Sequence, residues 1–316
     1  MPLNSVFNKL LETDFDSMYS LSIEQIREYY EKSWDDFKGD VIDVGTVINR
    51  TIKTTKRDTP IRIYYPKTKG IHPAFIWIHG GGFIFGSMGV YDSICRKITN
   101  KVNCTVVSID YGLSPEHKFP DPGEECYSVV KWVYDNAAEL NIQPDKIAVG
   151  GDSVGGTLTA AVTQMARKRK EFPITYQVLI NTMFDLLGLT KPLSRVENAK
   201  GYRLETHAIE GWYVPKYLND LSEAKNPLAS PLLAESFKDL PDACIITCEY
   251  DPLRDEGEHY AKNLSEAGAD VCLKRYDGII HGFFNMQRTV EEARDALDLV
   301  CTKLNHALHP VKQLLS

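Results

Sequence analysis

The chain has 316 residues, 43% hydrophobic and 25% charged, a composition that predicts one large globular domain, or a domain with an insertion, and excludes a disordered chain. Its formal net charge of -7 at pH 7 argues against nucleic-acid binding, because nucleic-acid binders concentrate lysine and arginine on one face. The sequence has neither eighteen consecutive apolar residues nor a secretory leader pattern in Met1–Asp16, so we predict a cytoplasmic protein without stable membrane insertion.

The first predicted element is a helix after Ser22. Ser22 and Gln25 have the spacing of a capping box, the side-chain pair that closes a helix N-terminus. The predicted helix carries a row of large side chains, namely Ile26, Tyr29, Tyr30, Trp34 and Phe37. Strand signals follow at Thr51–Thr55 and Ile61–Tyr65, and we expect these two strands to pair antiparallel.

Strand and helix signals then alternate, which predicts a mainly parallel sheet of eight strands in total, covered by helices on both faces. The predicted strands are Phe75–Ile78, Thr105–Ile109, Ile147–Val149, Tyr176–Ile180, Ala243–Thr247 and Val271–Tyr276. The predicted helices are Tyr91–Lys101, Glu124–Glu139, Thr157–Lys170, Glu256–Ala267 and Val290–Ala307.

Two aromatic, helix-like segments stand outside this alternation. One is residues 1–45, and the other is residues 186–221, which contain Trp212, Tyr213 and Tyr217. We predict that both segments form a helical cap over a core made of residues 46–185 and 222–316. The alternative is that both simply extend the core, because aromatic side chains at helical spacing usually serve packing.

The seven cysteines are an odd number scattered along the chain, which favours reduced thiols over a disulfide framework. The closest pair, Cys244 and Cys248, lies in an apolar strand signal, where residues four apart face the same side. We therefore expect core packing there and predict no metal site.

The pattern Gly-x-Ser-x-Gly at Gly151–Gly155 lies between a strand signal and a helix signal. In such a pattern the serine, here Ser153, is presented to a cleft by a turn so sharp that a Cβ at either glycine would collide with its neighbours. The pattern alone is equally consistent with an ordinary glycine-rich turn. Ser153 is thus a candidate nucleophile that needs a base and an acid nearby.

His281 is the candidate base, because it follows the last strand signal, in a predicted loop at 277–283, where loop ends form active sites. Asp251 is the candidate acid, because it directly follows another strand signal and precedes His281 in the order serine, acid, histidine. Asp255 and Glu249 are rivals. Asp255 is expected inside the next helix, and Glu249 lies on the strand.

The glycine run His79–Phe83 follows the strand signal that ends at Ile78. Backbone N–H groups there, together with that of Val154, can stabilise the oxyanion that forms when a serine attacks a carbonyl. A phosphate cradle is the competing interpretation, but neither of the usual phosphate-binding glycine patterns occurs in the chain.

Five motifs in order resemble the hormone-sensitive lipase family of α/β-hydrolases, and its bacterial acetyl esterases and carboxylesterases look closest. The motifs are His79–Phe83, Asp110–Glu116, Gly151–Gly156, Asp251–Asp255 and His281–Phe283, and the resemblance covers roughly residues 40–308. Val154 replaces the alanine usual after the serine, which can narrow the pocket. Tyr111-Gly-Leu-Ser also departs slightly from the common Tyr-Arg-Leu-Ala.

The resemblance implies an α/β-hydrolase fold with a helical cap and a cofactor-free serine carboxylesterase for a small ester with a short or medium acyl chain. It implies that Ser153 is the nucleophile, His281 the base and Asp251 the orienting acid. It also implies that Gly81, Gly82 and Val154 donate the oxyanion hydrogen bonds and that His79 is structural. The substrate pocket is expected to include Phe83, Trp34, Phe37, Trp212, Tyr213 and Phe283.

Other functions remain open at this point. An amidase or small peptidase uses the same triad. A noncatalytic small-molecule receptor also resembles the family, but such receptors lack the catalytic histidine, and this chain has His281. A homodimer is also open, because an exposed edge strand or a terminal helix can pair with a second copy.

Overall fold

The computed structural model describes residues 2–12 and 16–310. Residues 1, 13–15 and 311–316, which belong to the predicted cap and to the end of the predicted core, lie outside the described residues. The described chain is built on one eight-stranded sheet with the order β1-β2-β4-β3-β5-β6-β7-β8. The strands are β1 Thr46–Lys53, β2 Asp58–Tyr65, β3 His72–Ile78, β4 Thr105–Ile109, β5 Ile142–Asp152, β6 Tyr176–Ile180, β7 Asp242–Tyr250 and β8 Val271–Ile280.

The predicted mostly parallel sheet is confirmed. β1 pairs antiparallel with β2 and β2 with β4, and the remaining neighbours are parallel. The carboxyl ends of six strands, β3 to β8, therefore meet at one edge of the sheet, where α/β proteins form their sites.

Helices cover both faces of this sheet. The α-helices of the described residues are α1 Asn8–Leu11, α2 Ile23–Ser33, α3 Asp92–Val102, α4 Asp121–Asp135, α5 Val154–Arg169, α6 Ser194–Glu197, α7 Thr206–Ala208, α8 Val214–Tyr217, α9 Arg254–Glu266 and α10 Glu291–Leu308, and a π-helical turn lies at Ile209–Tyr213. Side chains of the central strand β3 alternate between the two layers. Phe75 and Trp77 pack into the cluster that includes α3 and α10, and Ile76 and Ile78 into the cluster with α4 and α5.

Two predicted boundaries were wrong in ways that affect the site. β8 continues to Ile280, because it stays paired with β7 as far as Tyr250, so most of the predicted loop before His281 is strand. The capping box at Ser22 is present, but α2 ends at Ser33. Trp34 and Phe37 therefore lie beyond the helix and not on it.

Buried or partly buried arginines tie both aromatic segments to the core. Arg27 of α2 donates from Nε to the carbonyl oxygen of Ile84 (2.8 Å) and forms an ion pair with Glu116 (2.7 Å). Arg195 of α6 forms a buried ion pair with Glu256 of α9 (3.0 Å). These contacts attach α2 to the loops that follow β3 and β4, and α6 to α9, which follows β7. No helix in the described ranges is long and apolar enough to cross a membrane.

Candidate active site

Ser153 occupies the single residue between β5 and α5. Its backbone angles, φ 56° and ψ -123°, are rare for a residue with a side chain, and such strain is typical of functional sites. A Cβ on Gly151 would lie 2.4 Å from the carbonyl carbon of Gly155, and one on Gly155 would lie 2.2 Å from the carbonyl oxygen of Ile78. The turn that presents Ser153 therefore requires glycine at both positions.

Ser153, His281 and Asp251 form one hydrogen-bonded row. His281 Nδ1 lies 2.8 Å from Asp251 Oδ2, and His281 Nε2 lies 3.0 Å from Ser153 Oγ. Because an ionised carboxylate only accepts hydrogen bonds, Nδ1 carries the proton in this arrangement, and Nε2 of the neutral ring accepts from the serine hydroxyl. The geometry is that of a serine poised to lose its proton to a histidine.

Asp251 is fixed on both of its oxygens. Asn181 Nδ2 donates to Oδ2 (2.9 Å), the Leu253 N–H donates to Oδ1 (2.9 Å), and Asp251 itself is 1% exposed. Asn181 was not predicted from the sequence. The one available signal was its place directly after β6, at the edge of the sheet where Ser153 and Asp251 also follow strands.

The two rival acids lie elsewhere. Asp255 is on α9 and accepts from the backbone N–H of Ser194 (2.8 Å) and from Arg254. Glu249 accepts from the Gly278 N–H (2.7 Å) in the neighbouring strand. Among the three carboxylates, Asp251 is the one hydrogen-bonded to His281.

The environment of His281 sets its protonation. Burial of the ring opposes its positive charge, but the charge and hydrogen bond of Asp251, with a further contribution from Asp152, outweigh burial and raise the pKa of His281 above its usual value. The positive charge of Arg203 acts in the opposite direction. The site thus stabilises the imidazolium that forms when the histidine takes a proton.

The predicted oxyanion donors lie beside the serine. Gly81, Gly82 and Val154 line the same cavity as Ser153. Val154 is the first residue of α5, so its N–H has no acceptor within the helix. Gly82 has φ +62°, and a Cβ there would lie 2.2 Å from the ring of Tyr213, so this close approach also depends on glycine.

His79 is separate from this row. It is fully buried, its Nδ1 lies 2.8 Å from the Gly80 carbonyl oxygen, and its ring stacks on Tyr111 at 4.3 Å between centroids. Burial lowers the pKa of His79, which favours the neutral ring. The contacts are those of a packing residue at a strand end.

A cavity of about 120 Å³ opens onto Ser153 and His281. Both aromatic segments contribute to its lining, including the predicted pocket residues Trp34, Phe37 and Tyr213. Contrary to the prediction, Phe83, Trp212 and Phe283 do not line this cavity. Phe83 is buried and stacks on Tyr217 at 3.6 Å, Trp212 packs against Tyr19 and Lys216, and Phe283 is buried against Tyr276.

Two charged residues that the sequence did not suggest also line the cavity. Asp152 is buried and accepts a hydrogen bond from the Tyr91 hydroxyl (2.9 Å), and burial raises the pKa of its carboxyl. Arg203, from the segment between α6 and α7, places its guanidinium 4.3 Å from the ring centroid of Trp34. Asp152 occupies the variable position before Ser153 in the Gly151–Gly156 motif, and Arg203 lies outside all five motifs.

The chain is similar to several known proteins. A family model described as an alpha/beta hydrolase fold matches residues 75–285. The arylesterase of Saccharolobus solfataricus is 40% identical over 246 residues, 78% of this chain and 79% of that protein. The ethyl acetate hydrolase of Pseudomonas putida is 29% identical over 296 residues, 92% of each protein. The solved structure of a hyperthermophilic esterase from Pyrobaculum calidifontis is 38% identical, with a TM-score of 0.89 over 96% of this chain and 98% of that one.

Proposed function

Because the chain belongs to the hormone-sensitive lipase-like family of α/β hydrolases and is a carboxylic ester hydrolase, we propose that Ser153, His281 and Asp251 are its catalytic triad. The observation that carries the proposal is the continuous row of hydrogen bonds from Asp251 through His281 to Ser153. We propose the two aromatic segments, residues 1–45 and 186–221, as the cap that closes the site.

The proposed reaction has two acyl-transfer steps. Ser153 Oγ attacks the ester carbonyl carbon while His281 Nε2 takes the hydroxyl proton, and His281 then gives that proton to the leaving alcohol, which leaves an acyl-serine. In the second step His281 takes a proton from water, whose oxygen attacks the acyl carbon, and Ser153 regains its proton as the acid leaves. Asp251 holds the imidazole in the required tautomer throughout.

Both steps pass through a tetrahedral oxyanion. We propose the backbone N–H groups of Gly81, Gly82 and Val154 as its donors, because these residues line the same cavity as Ser153 and glycine leaves the approach to its backbone open. The reaction as proposed needs no cofactor, since the proton moves between side chains and water.

We propose short- to medium-chain acyl esters as substrates. The cavity beside Ser153 is small and bounded by aromatic side chains of the proposed cap, and the buried side chain of Val154 forms part of its wall. The relative from Pseudomonas putida that aligns over 92% of this chain is an ethyl acetate hydrolase, whose substrate carries a two-carbon acyl group.

A nitrophenyl ester series with acyl chains of two to sixteen carbons tests this substrate range. We expect kcat/KM to be highest for the short and medium chains and to fall for the longest, because long chains exceed the bounded cavity. A matched nitroanilide of the preferred acid should react more slowly than the ester. A maximum at sixteen carbons contradicts the proposed chain length, and faster anilide turnover favours an amidase.

The proposal includes the cytoplasm as the location and a homodimer as the assembly. All seven cysteines are free thiols, as in a reducing compartment.

The proposed homodimer rests on the sheet. β8 is an edge strand and presents the exposed Leu273, which gives a second copy a place to pair. Light scattering should return twice the mass of one chain, and a single-chain mass would exclude the dimer.

A further inference from the structure

Arg203 brings a positive charge into the catalytic cavity from the proposed cap. Its guanidinium lies over the face of Trp34, 4.3 Å from the ring centroid, and it lines the cavity together with Ser153 and His281. A guanidinium over an aromatic face is held by the electrostatic attraction between cation and ring, which leaves its N–H groups free to donate hydrogen bonds. Arg203 is therefore a positioned cation with donors available to a ligand.

The described residues give Arg203 no hydrogen-bond or ion-pair partner. Every other arginine in the described ranges donates a hydrogen bond to another residue. A guanidinium has five N–H donors in a planar fork that matches a carboxylate. These donors are therefore available to an anionic group on a substrate.

The position of Arg203 identifies which half of the ester it faces. A Cβ on Gly282 would lie 2.7 Å from Arg203 Nη1, so the guanidinium lies directly over the residue that follows His281. In the proposed reaction His281 gives its proton to the leaving alcohol, so that alcohol must lie against the imidazole. A negative group on the alcohol half is therefore the one within reach of Arg203.

Asp152 and Glu31 are the acidic groups to weigh against this assignment. Asp152 is the residue before Ser153, accepts a hydrogen bond from the Tyr91 hydroxyl, and makes no ion pair with Arg203 in the described part of the chain. Burial raises the pKa of Asp152, and the positive charges of His281 and Arg203 act in the opposite direction. Glu31 accepts from Ser87 and does not line the cavity. Neither carboxylate occupies the donors of Arg203.

We propose that Arg203 is a specificity-determining residue that binds a carboxylate on the alcohol half of the substrate. The favoured substrates are then short-chain acyl esters of small hydroxy acids, a narrower class than neutral alkyl esters. This inference rests on the proposed function, because it takes His281 as the group that protonates the leaving alcohol.

The test compares 4-acetoxybenzoate with 4-acetoxybenzamide, which have similar shapes and differ in the charge on the leaving phenol. Each kcat/KM is divided by the hydroxide-catalysed rate of the same ester, so that intrinsic reactivity cancels. We expect the carboxylate to be preferred by about tenfold to a hundredfold, the range of a hydrogen bond to a charged group. Arg203→Gln should abolish the preference, Arg203→Lys should retain part of it, and 0.5 M salt should reduce it.

Arg50→Gln is the matched control, because it removes the same charge from an exposed ion pair on β1 and should leave the preference unchanged. The preference is a ratio of the two esters within each variant, so a change that Arg203→Gln makes to both rates alike cancels. Equal values for the two esters in the wild-type enzyme, or a preference that survives Arg203→Gln, overturns the inference. A preference confined to the acyl half, measured as nitrophenyl hemisuccinate over nitrophenyl butyrate, also overturns it. If the folded protein hydrolyses no ester at all, the proposed function fails instead.

Discussion

Ser153→Ala is expected to retain less than about 1% of the wild-type ester hydrolysis, because loss of the nucleophile from a triad costs several powers of ten in turnover. His281 Nε2 lies 3.0 Å from Ser153 Oγ, and alanine leaves this base without a hydroxyl to activate. The measurement is kcat on a short-chain nitrophenyl ester, together with labelling by a fluorophosphonate, whose phosphorus bonds to the serine oxygen as fluoride leaves.

The labelled peptide of the wild-type protein should contain Ser153, and Ser153→Ala should take up no label. Ser128→Ala is the matched control, because it removes the hydroxyl of a serine on α4 that does not line the cavity. That hydroxyl donates to the Glu124 carbonyl oxygen (2.8 Å) and lies 3.3 Å from the Thr55 hydroxyl. Unfolding curves for both variants separate loss of the nucleophile from loss of the fold. Substantial turnover by Ser153→Ala, or a label on another residue, contradicts the assignment.

The sheet and the placement of the candidate triad could be predicted because they depend on local patterns. β3 and β4 are buried runs of β-branched and apolar residues, and the parallel order follows from their alternation with helices. Ser153 is marked by the glycines that its strained turn requires. The structure brings Ser153, Asp251 and His281 within hydrogen-bonding distance, and their catalytic roles stay a prediction.

The pocket could be predicted only in part, because its lining depends on long-range packing. Phe83 follows the glycine run but has φ +65° and points into a stack with Tyr217. Aromatic type alone did not distinguish Tyr213, which covers Gly82, from its neighbour Trp212, which does not line the cavity. Arg203 carries no motif at all, and its place over Trp34 is visible only once the two segments are folded together.

Asp251→Asn is expected to lower kcat by about a thousandfold to ten-thousandfold, as loss of the orienting carboxylate does in other serine triads. The asparagine can donate an N–H to His281 Nδ1, which places the ring proton on Nε2. A protonated Nε2 can no longer accept the hydrogen bond of the Ser153 hydroxyl. The pH profile should change as well. Asp251 raises the pKa of His281, and activity requires the neutral ring, so wild-type activity should fall as pH drops through that raised pKa.

Asp251→Asn removes the charge that is the main cause of the raised pKa of His281, while burial, which lowers that pKa, stays in place. The pH at which the residual activity of Asp251→Asn falls off on the acid side should therefore be lower than in the wild type. Asp255→Asn and Glu249→Gln are the matched controls, because each removes a carboxylate charge near the same edge of the sheet without touching His281. Both should keep the wild-type acid limb and most of the turnover. If Asp255→Asn shows the large loss and the shifted limb while Asp251→Asn does not, the orienting acid is Asp255, and the row of hydrogen bonds from Asp251 to Ser153 is not the one that operates in catalysis.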